Sequence, residues 1–297
     1  MRLFKQDRKL DYNKAQRLQD SWKDTKEIKE SKSRDFREVA SSSILVAPVE
    51  KNPSFATDSI EAGIKFRVQA EPYWFQKIEI LPGLYSPGWS DPVTEKLPYF
   101  GLPEDLSGLR VLDIGCAEGF FSFEAEKRGA REVIGIDSFS DSVRRFNIVK
   151  EAHQSNATAF LTNVYELNPS KFGTFDLVLF YGVFYHLKHP QLALERIRSV
   201  CKGDLLFQTH ICEESSIKDE PWAKYHPHGM VSGKNNELYD PTIFWHFNSA
   251  CCIAMLESVG FENIAIVSDV PNPFVASASS PVQEKSEPPD QTESPWC

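Results

Sequence analysis

The first chemistry legible in the chain is carried by two acids and a glycine turn. Asp113 closes a short apolar run, and Gly115-Cys116-Ala117-Glu118-Gly119 follows it in "VLDIGCAEGF", residues 111–120. A second acid, Asp137, ends the next apolar run, "VIGIDSF", 18 residues after Gly119. Glycines at 115 and 119 allow backbone conformations and close approaches that a side chain would block. An acid placed like Asp137 can accept both hydroxyls of a ribose. A dinucleotide would ask for G-x-G-x-x-G and a free helix N-terminus for its pyrophosphate. Here the turn reads G-C-A-E-G, and Glu118 would set a negative charge beside the helix start. Together with Asp113, the turn therefore suits a cationic, amino-acid-bearing ligand with a ribose, which is the character of S-adenosylmethionine.

The elements that must position these residues follow from periodicity. Apolar runs at "RVLDIG", "EVIGID", "TAFLTN", "FDLVLFYG", "DLLFQTH" and "NIAIVSD" read as strands. Helical patterns at Phe120–Arg128, Asp141–Ser155, Pro190–Val200 and Ser249–Val259 separate them. Leu192, Leu194, Ile197 and Val200 are read as one face of the third helix. Such alternation predicts an α/β fold: a Rossmann-like, mainly parallel sheet with helices on both faces. Ligands in such sheets bind beyond the carboxyl ends of the strands. Tyr185 and His186 follow the fourth strand and His210 ends the fifth, so a base of suitable pKa is expected from His186, with His189 on the same loop, or from His210. The segment at about 212–248 carries Trp222, Tyr225, His226, His228, Trp245 and His246. A connection of that length predicts a lid or an acceptor-binding element.

Three zones are expected: a charged, partly helical or disordered arm over 1–70, a catalytic domain over 71–278 with its cofactor core at 108–200, and a disordered tail over 279–297. Residues 1–38 carry 12 Lys/Arg against 8 Asp/Glu, in a chain whose net charge is −9. An arm of that kind is read first as a solvated segment and second as one that meets nucleic acid. No window approaches the roughly 18–20 apolar residues of a membrane span, and the charged start has no signal-peptide core, so a cytoplasmic protein is expected. The six cysteines form no CxxC pair; reduced, packed thiols are expected. A zinc site from Cys212, His226, His228 and Cys251 matches no ligand spacing, so no metal is expected.

The turn, Asp137 one strand later and "FDLVLFYGVFYHLKHP" at the fourth strand resemble the class I S-adenosylmethionine-dependent methyltransferases. The resemblance covers about residues 108–278 and implies seven strands with the last antiparallel, "NIAIVSD" and "PFVASAS" supplying the closing hairpin. It implies that Gly115, Ala117 and Gly119 line the methionine and ribose side, with Asp113 and Tyr181 beside them. Asp137 would hold the ribose, and Asn163 would read the adenine amino group where the family usually has an acid. Ala117 stands where a glycine is commoner. The block "WFQKIEILPGLYSPGWSDPVTEKLPYFGLPEDLSG" with "GVFYHLKHP" is similar to the branch containing the tRNA wobble-uridine carboxymethyltransferase, whose donor is carboxy-S-adenosylmethionine. In that branch Lys77, Trp89, Lys96 and Tyr185 would surround the donor. An extra carboxylate needs cations or several donors to desolvate it. The branch also uses an arginine late in the chain, whereas this sequence has none after Arg198. Methyl transfer to an O or N atom of a small or sugar-like acceptor is therefore the leading expectation. Carboxymethyl or methyl transfer to tRNA is the alternative, and a non-catalytic relative of the fold is the third.

Overall fold

The computed structural model describes residues 53–212, 220–232, 238–267 and 274–281. The charged arm of residues 1–38 and the tail beyond Pro281 lie outside them.

Helix α1 (Pro53–Ala70) is followed by a small hairpin, β1 (Glu79–Leu81) and β2 (Leu84–Tyr85). Alternation then begins: β3 (Arg110–Ile114), α2 (Phe120–Lys127), β4 (Glu132–Asp137), α3 (Ser140–His153), β5 (Thr158–Leu161), β6 (Phe175–Tyr181), α4 (Pro190–Val200) and β7 (Cys201–Thr209). Short strands β8 (Ala223–Tyr225), β9 (Met230–Ser232), β10 (Leu238–Asp240) and β11 (Trp245–Phe247) precede α5 (Ser249–Ser258), β12 (Glu262–Ile266) and β13 (Phe274–Ser279). Seven strands form one sheet in the order β12-β13-β7-β6-β3-β4-β5. β3 through β7 pair in parallel, and β13 runs antiparallel to both neighbours. The chain leaves β3 towards β4 and β5, then returns to β6 on the other side. The carboxyl ends of β3 and β6 therefore flank the switch point, where such sheets bind ligands.

The period-2 alternation of β3 sorts its side chains to two cores. Leu112 and Ile114 join Phe180 and Phe207 under α4 and α5. Val111 joins Leu177 and Leu179 under α2 and α3. On α4 the buried residues are Pro190, Ala193, Leu194, Ile197 and Val200. Leu192, read as part of that face, is instead 36% exposed, because two residues on a helix turn through about 200°.

Helix α1 lies within the zone expected to be an arm, yet its Ile64 and Val68 are buried in the core beneath α2 and α3. Glu71, just beyond it, makes a two-pronged ion pair with Arg144 on α3 at 2.7 and 2.8 Å. The packed chain thus begins before residue 71. It also reaches past residue 278, since β13 includes Ser279, and the Ser280 N–H donates to the Gly203 carbonyl at 2.8 Å. The segment expected as a lid is a pair of two-stranded ribbons rather than an irregular loop: β8 pairs with β11 and β9 with β10.

Candidate cofactor and acceptor site

The turn after β3 is built by the strand beside it. The N–H groups of Gly115 and Cys116 both donate to the Ile136 carbonyl of β4. The Ala117 N–H donates to Asp137 at 3.0 Å, and the other oxygen of that carboxylate accepts the Phe139 N–H at 2.9 Å. Asp137 is thereby fixed at the mouth of the switch point, 8% exposed, and burial raises its pKa. Ala117 adopts φ 50°, a left-handed conformation that costs a non-glycine residue roughly 1–2 kcal/mol.

The two glycines serve packing as well as conformation. Gly115 has φ 71°, and a Cβ there would stand 2.3 Å from Val183 Cγ2. Gly119 has φ 95°, and its Cβ would meet Phe146 at 2.5 Å and Phe123 at 2.6 Å. Close approach at Gly119 is therefore to aromatic rings of the core. Asp113 points into the same interior, where the Ser122 hydroxyl donates to it at 2.6 Å. Burial pushes its pKa up to about 7, the Asp137 charge adding to the effect and the Ser122 bond opposing it.

Glu118 corrects the expectation of a free charge at the helix start. Its carboxylate is fully buried and accepts the N–H groups of Phe75 at 2.9 Å and Gln76 at 3.0 Å. Arg145 on α3 completes the pairing at 3.1 Å. The helix N-terminus itself is taken by the Gln76 side chain, whose Oε1 accepts the Phe120 N–H at 3.1 Å. A pyrophosphate is thus disfavoured because the helix-start donor is already engaged, not because a bare anion repels it. The sequence reading missed Gln76 and Arg145. The Glu118 side chain was legible, but its partners sit more than 25 residues away.

The block before β3 meets this turn through Phe75 and Gln76 and is packed closely on itself. Gly88 lies so near Gln76 that a Cβ would stand 2.1 Å from its carbonyl oxygen. Trp89 is 57% exposed; its indole N–H donates to the Tyr73 hydroxyl at 2.9 Å and its ring meets Phe75 edge-on. Lys96 meets the same Phe75 ring, with Nζ 4.5 Å from its centre, and burial lowers its pKa to about 8. Lys77 stands apart from them: it pairs with Asp91 at 3.3 Å and faces an outer groove of about 730 Å³ lined by Phe120, Phe123, Glu124, Lys127 and His153.

Asn163 caps the 3-10 turn Val164–Glu166, its Oδ1 accepting the Tyr165 N–H at 2.9 Å. Phe139, absent from the sequence reading, is 55% exposed and lies two residues beyond Asp137, the last residue of β4. Tyr181 packs between Phe100 and Phe121 and donates its hydroxyl to the Phe100 carbonyl at 2.9 Å, which commits that group to the core.

On the other flank of the switch point, the Tyr185 ring stands 4.1 Å from that of His186 and 4.7 Å from that of His210. The structure thus brings together the three residues expected at the acceptor side. Tyr185 is nearly buried, and burial raises its pKa. Burial lowers the pKa of His186. His189 sits off this group, edge-on to Tyr165. The ribbon segment closes over the site: the Phe244 N–H donates to the Tyr185 carbonyl at 2.9 Å, and Thr242 reaches His186. Among the described residues, no His, Cys, Asp or Glu cluster could hold a metal ion, and no helix is long and apolar enough to cross a membrane.

The donor set fits an adenosine-type cofactor. A carboxylate with unused lone pairs lies at the end of β4, followed two residues on by the exposed ring of Phe139, and an amide oxygen lies just beyond β5.

Comparison with known proteins agrees with this geometry. The methyltransferase-domain family matches residues 89–266, more than half of the chain. A tRNA U34 carboxymethyltransferase of Colwellia psychrerythraea is 30% identical over 167 residues, 55% of this chain and 48% of that protein. The protein of that name from Citrifermentans bemidjiense is 28% identical over 166 residues, again 55% and 48%. The chain thus spans about half the length of the curated relatives it matches. Among solved structures, the N-terminal domain of EvdMO1, crystallised with SAH and D-fucose, superposes with a TM-score of 0.59 at 20% identity, over 74% of this chain and 97% of that one. That likeness carries the fold. Switch-point geometry, strand order and family match converge: this chain belongs to the methyltransferase-domain family and has the class I S-adenosylmethionine-dependent methyltransferase fold.

Proposed function

We propose that the chain transfers a methyl group from S-adenosylmethionine to an O or N atom of a small or sugar-like acceptor. The observation that carries this reading is the Asp137 carboxylate, locked at the switch point by the N–H groups of Ala117 and Phe139. Each of its oxygens retains acceptor capacity, directed to the hydroxyls of a ribose. Phe139 offers its face to the adenine, and the Asn163 oxygen has a second lone pair for the adenine amino group. Bound there, the cofactor supplies a carbon already activated by its sulfonium. The chain supplies position, which accounts for about 7–11 kcal/mol of such barriers. At the acceptor side His186 is the base, Tyr185 walls the site and His210 borders it.

A second reading, the carboxylated donor with tRNA as acceptor, is favoured by Lys96. Its ammonium is held over an aromatic face in a buried setting, which suits a cation awaiting an anionic partner. The two relatives named as tRNA U34 carboxymethyltransferases support the same reading.

Mass spectrometry of the nucleoside released from denatured protein, with titration by both donors, decides between them. The first reading expects recovery or tighter binding of S-adenosylmethionine, with Lys96→Met changing its affinity little. The second expects the carboxylated donor to bind at least about tenfold more tightly, roughly 1.4 kcal/mol, and to lose that margin in Lys96→Met. Its affinity should also fall as pH rises through about 8, where Lys96 gives up its proton. Binding of neither donor overturns both readings and leaves a non-catalytic relative.

A further inference from the structure

The ribbon segment does more than cover the acceptor side. The Thr242 hydroxyl donates to Asp240 Oδ1 at 2.6 Å, and the Thr242 N–H donates to the same oxygen at 2.8 Å. With its proton spent on Asp240, Thr242 Oγ1 meets His186 Nδ1 at 2.9 Å as an acceptor. The Thr242 carbonyl, which can only accept, lies 3.0 Å from the same nitrogen. Two acceptors on Nδ1 require that Nδ1 carry the hydrogen, and a neutral imidazole then has its lone pair on Nε2.

We infer that Thr242 and Asp240 are positioning residues for His186, fixing its Nδ1–H tautomer so that Nε2 faces the acceptor side as the proton-accepting atom. The inference deepens the reading of His186 as base and rests on it. In the transfer, the acceptor's O–H or N–H proton passes to Nε2 while the acceptor's lone pair forms the bond to the transferred carbon. The electron pair of the broken carbon–sulfur bond stays on sulfur. The imidazolium that results carries its charge towards Asp240 through the Thr242 hydroxyl, so the relay stabilises the base in the form it takes after the proton moves.

The groups facing the ring are few. Asp240 lies behind Thr242 and favours the charged form, whereas His210 disfavours it and burial opposes it most strongly. Tyr185 lies tilted against the ring, and Lys188 lies over Phe244. Asp240 is thus the anionic member of this set, and its link to His186 runs 54 residues along the chain. The ribbon that carries Thr242 and Asp240 must be seated before the base has its tautomer, which couples closure of the acceptor side to readiness for proton transfer.

The test is imidazole NMR on the full chain, selectively labelled with nitrogen-15 at histidine, with the His186 signal assigned through His186→Gln. The wild-type protein should show His186 as the Nδ1–H tautomer. Asp240→Asn keeps the acceptor for Thr242 but removes the charge, so it should keep the tautomer and lower the His186 pKa by about one unit, tenfold in the protonation equilibrium. Thr242→Val should erode the tautomer preference and Thr242→Ser should restore it. A wild-type Nε2–H tautomer, or a His186 pKa unmoved in Asp240→Asn, overturns the inference. Titration of each variant with S-adenosylhomocysteine checks that the cofactor side is intact. Failure of that binding in the wild-type protein would instead strike the methyltransferase reading, so the two failures are distinct.

Discussion

Asp113 near the end of β3 and Glu118 in the turn after it lie five residues apart, and the fold surrounds them in opposite ways. Glu118 is fully buried yet stays paired, with two backbone N–H groups and Arg145 around it. Asp113 has one hydroxyl donor and a neighbouring carboxylate, and burial lifts its pKa to about 7. The sign of its effect on stability follows. Between about pH 4 and pH 7 the folded state holds a proton at Asp113 that the unfolded state has released, so this residue makes the protein less stable as pH rises through that window and is flat above it. Asp113→Asn should remove that dependence. Urea unfolding at pH 5 and pH 8 should show the wild-type protein losing on the order of a few kcal/mol more than the variant between the two. An identical pH response in both proteins would count against a buried, protonated Asp113. Ala117 marks the same turn as one selected for geometry over ease, since its φ of 50° would suit glycine better.

At the scale of elements, the segment 73–91 is an integral wall of the cofactor turn. Its backbone binds Glu118, its Gln76 side chain occupies the start of α2, and Gly88 permits the close approach that holds Gln76 in place. Gly88→Ala should therefore displace the Gln76 backbone, and with it the N–H that binds Glu118. The expected outcome is a loss of about 1–3 kcal/mol for a buried carboxylate deprived of a backbone donor, read by chemical denaturation together with a weaker affinity for S-adenosylhomocysteine. Gly83→Ala is the matched control, because a Cβ at Gly83 meets no atom within 4 Å, although its positive φ of 75° carries a smaller backbone cost. The ribbons β8–β11 and β9–β10 play the corresponding part on the acceptor side, through Thr242 and Phe244.

For the molecule as a whole, cofactor binding and stability should be linked through Asp137. A ligand present at 100 times its Kd stabilises the folded state by about 2.7 kcal/mol, so S-adenosylhomocysteine should raise the melting temperature measurably. Asp137→Asn, which removes charge but keeps an oxygen for the turn, should abolish most of that shift while leaving the ligand-free protein folded. An undiminished shift in the variant would place the ribose elsewhere. Much of this architecture was legible beforehand. The strand and helix runs, the turn and the position of Asp137 depend on periodicity and turn chemistry within a few residues, and these are properties of local sequence. The seven strands and the antiparallel closing strand came from family resemblance and were met by the structure, which added the strand order. What local sequence could not disclose were partnerships across the chain: Gln76 with Phe120, 44 residues apart, Phe75 with Glu118, 43 apart, and Thr242 with His186, 56 apart. Sequence by itself determined the strand–helix alternation, the turn and the place of Asp137 at the end of its strand. Only the tertiary structure decided which charges are neutralised, which helix start is occupied and which nitrogen of His186 is left free, because each of these depends on where a distant segment comes to rest.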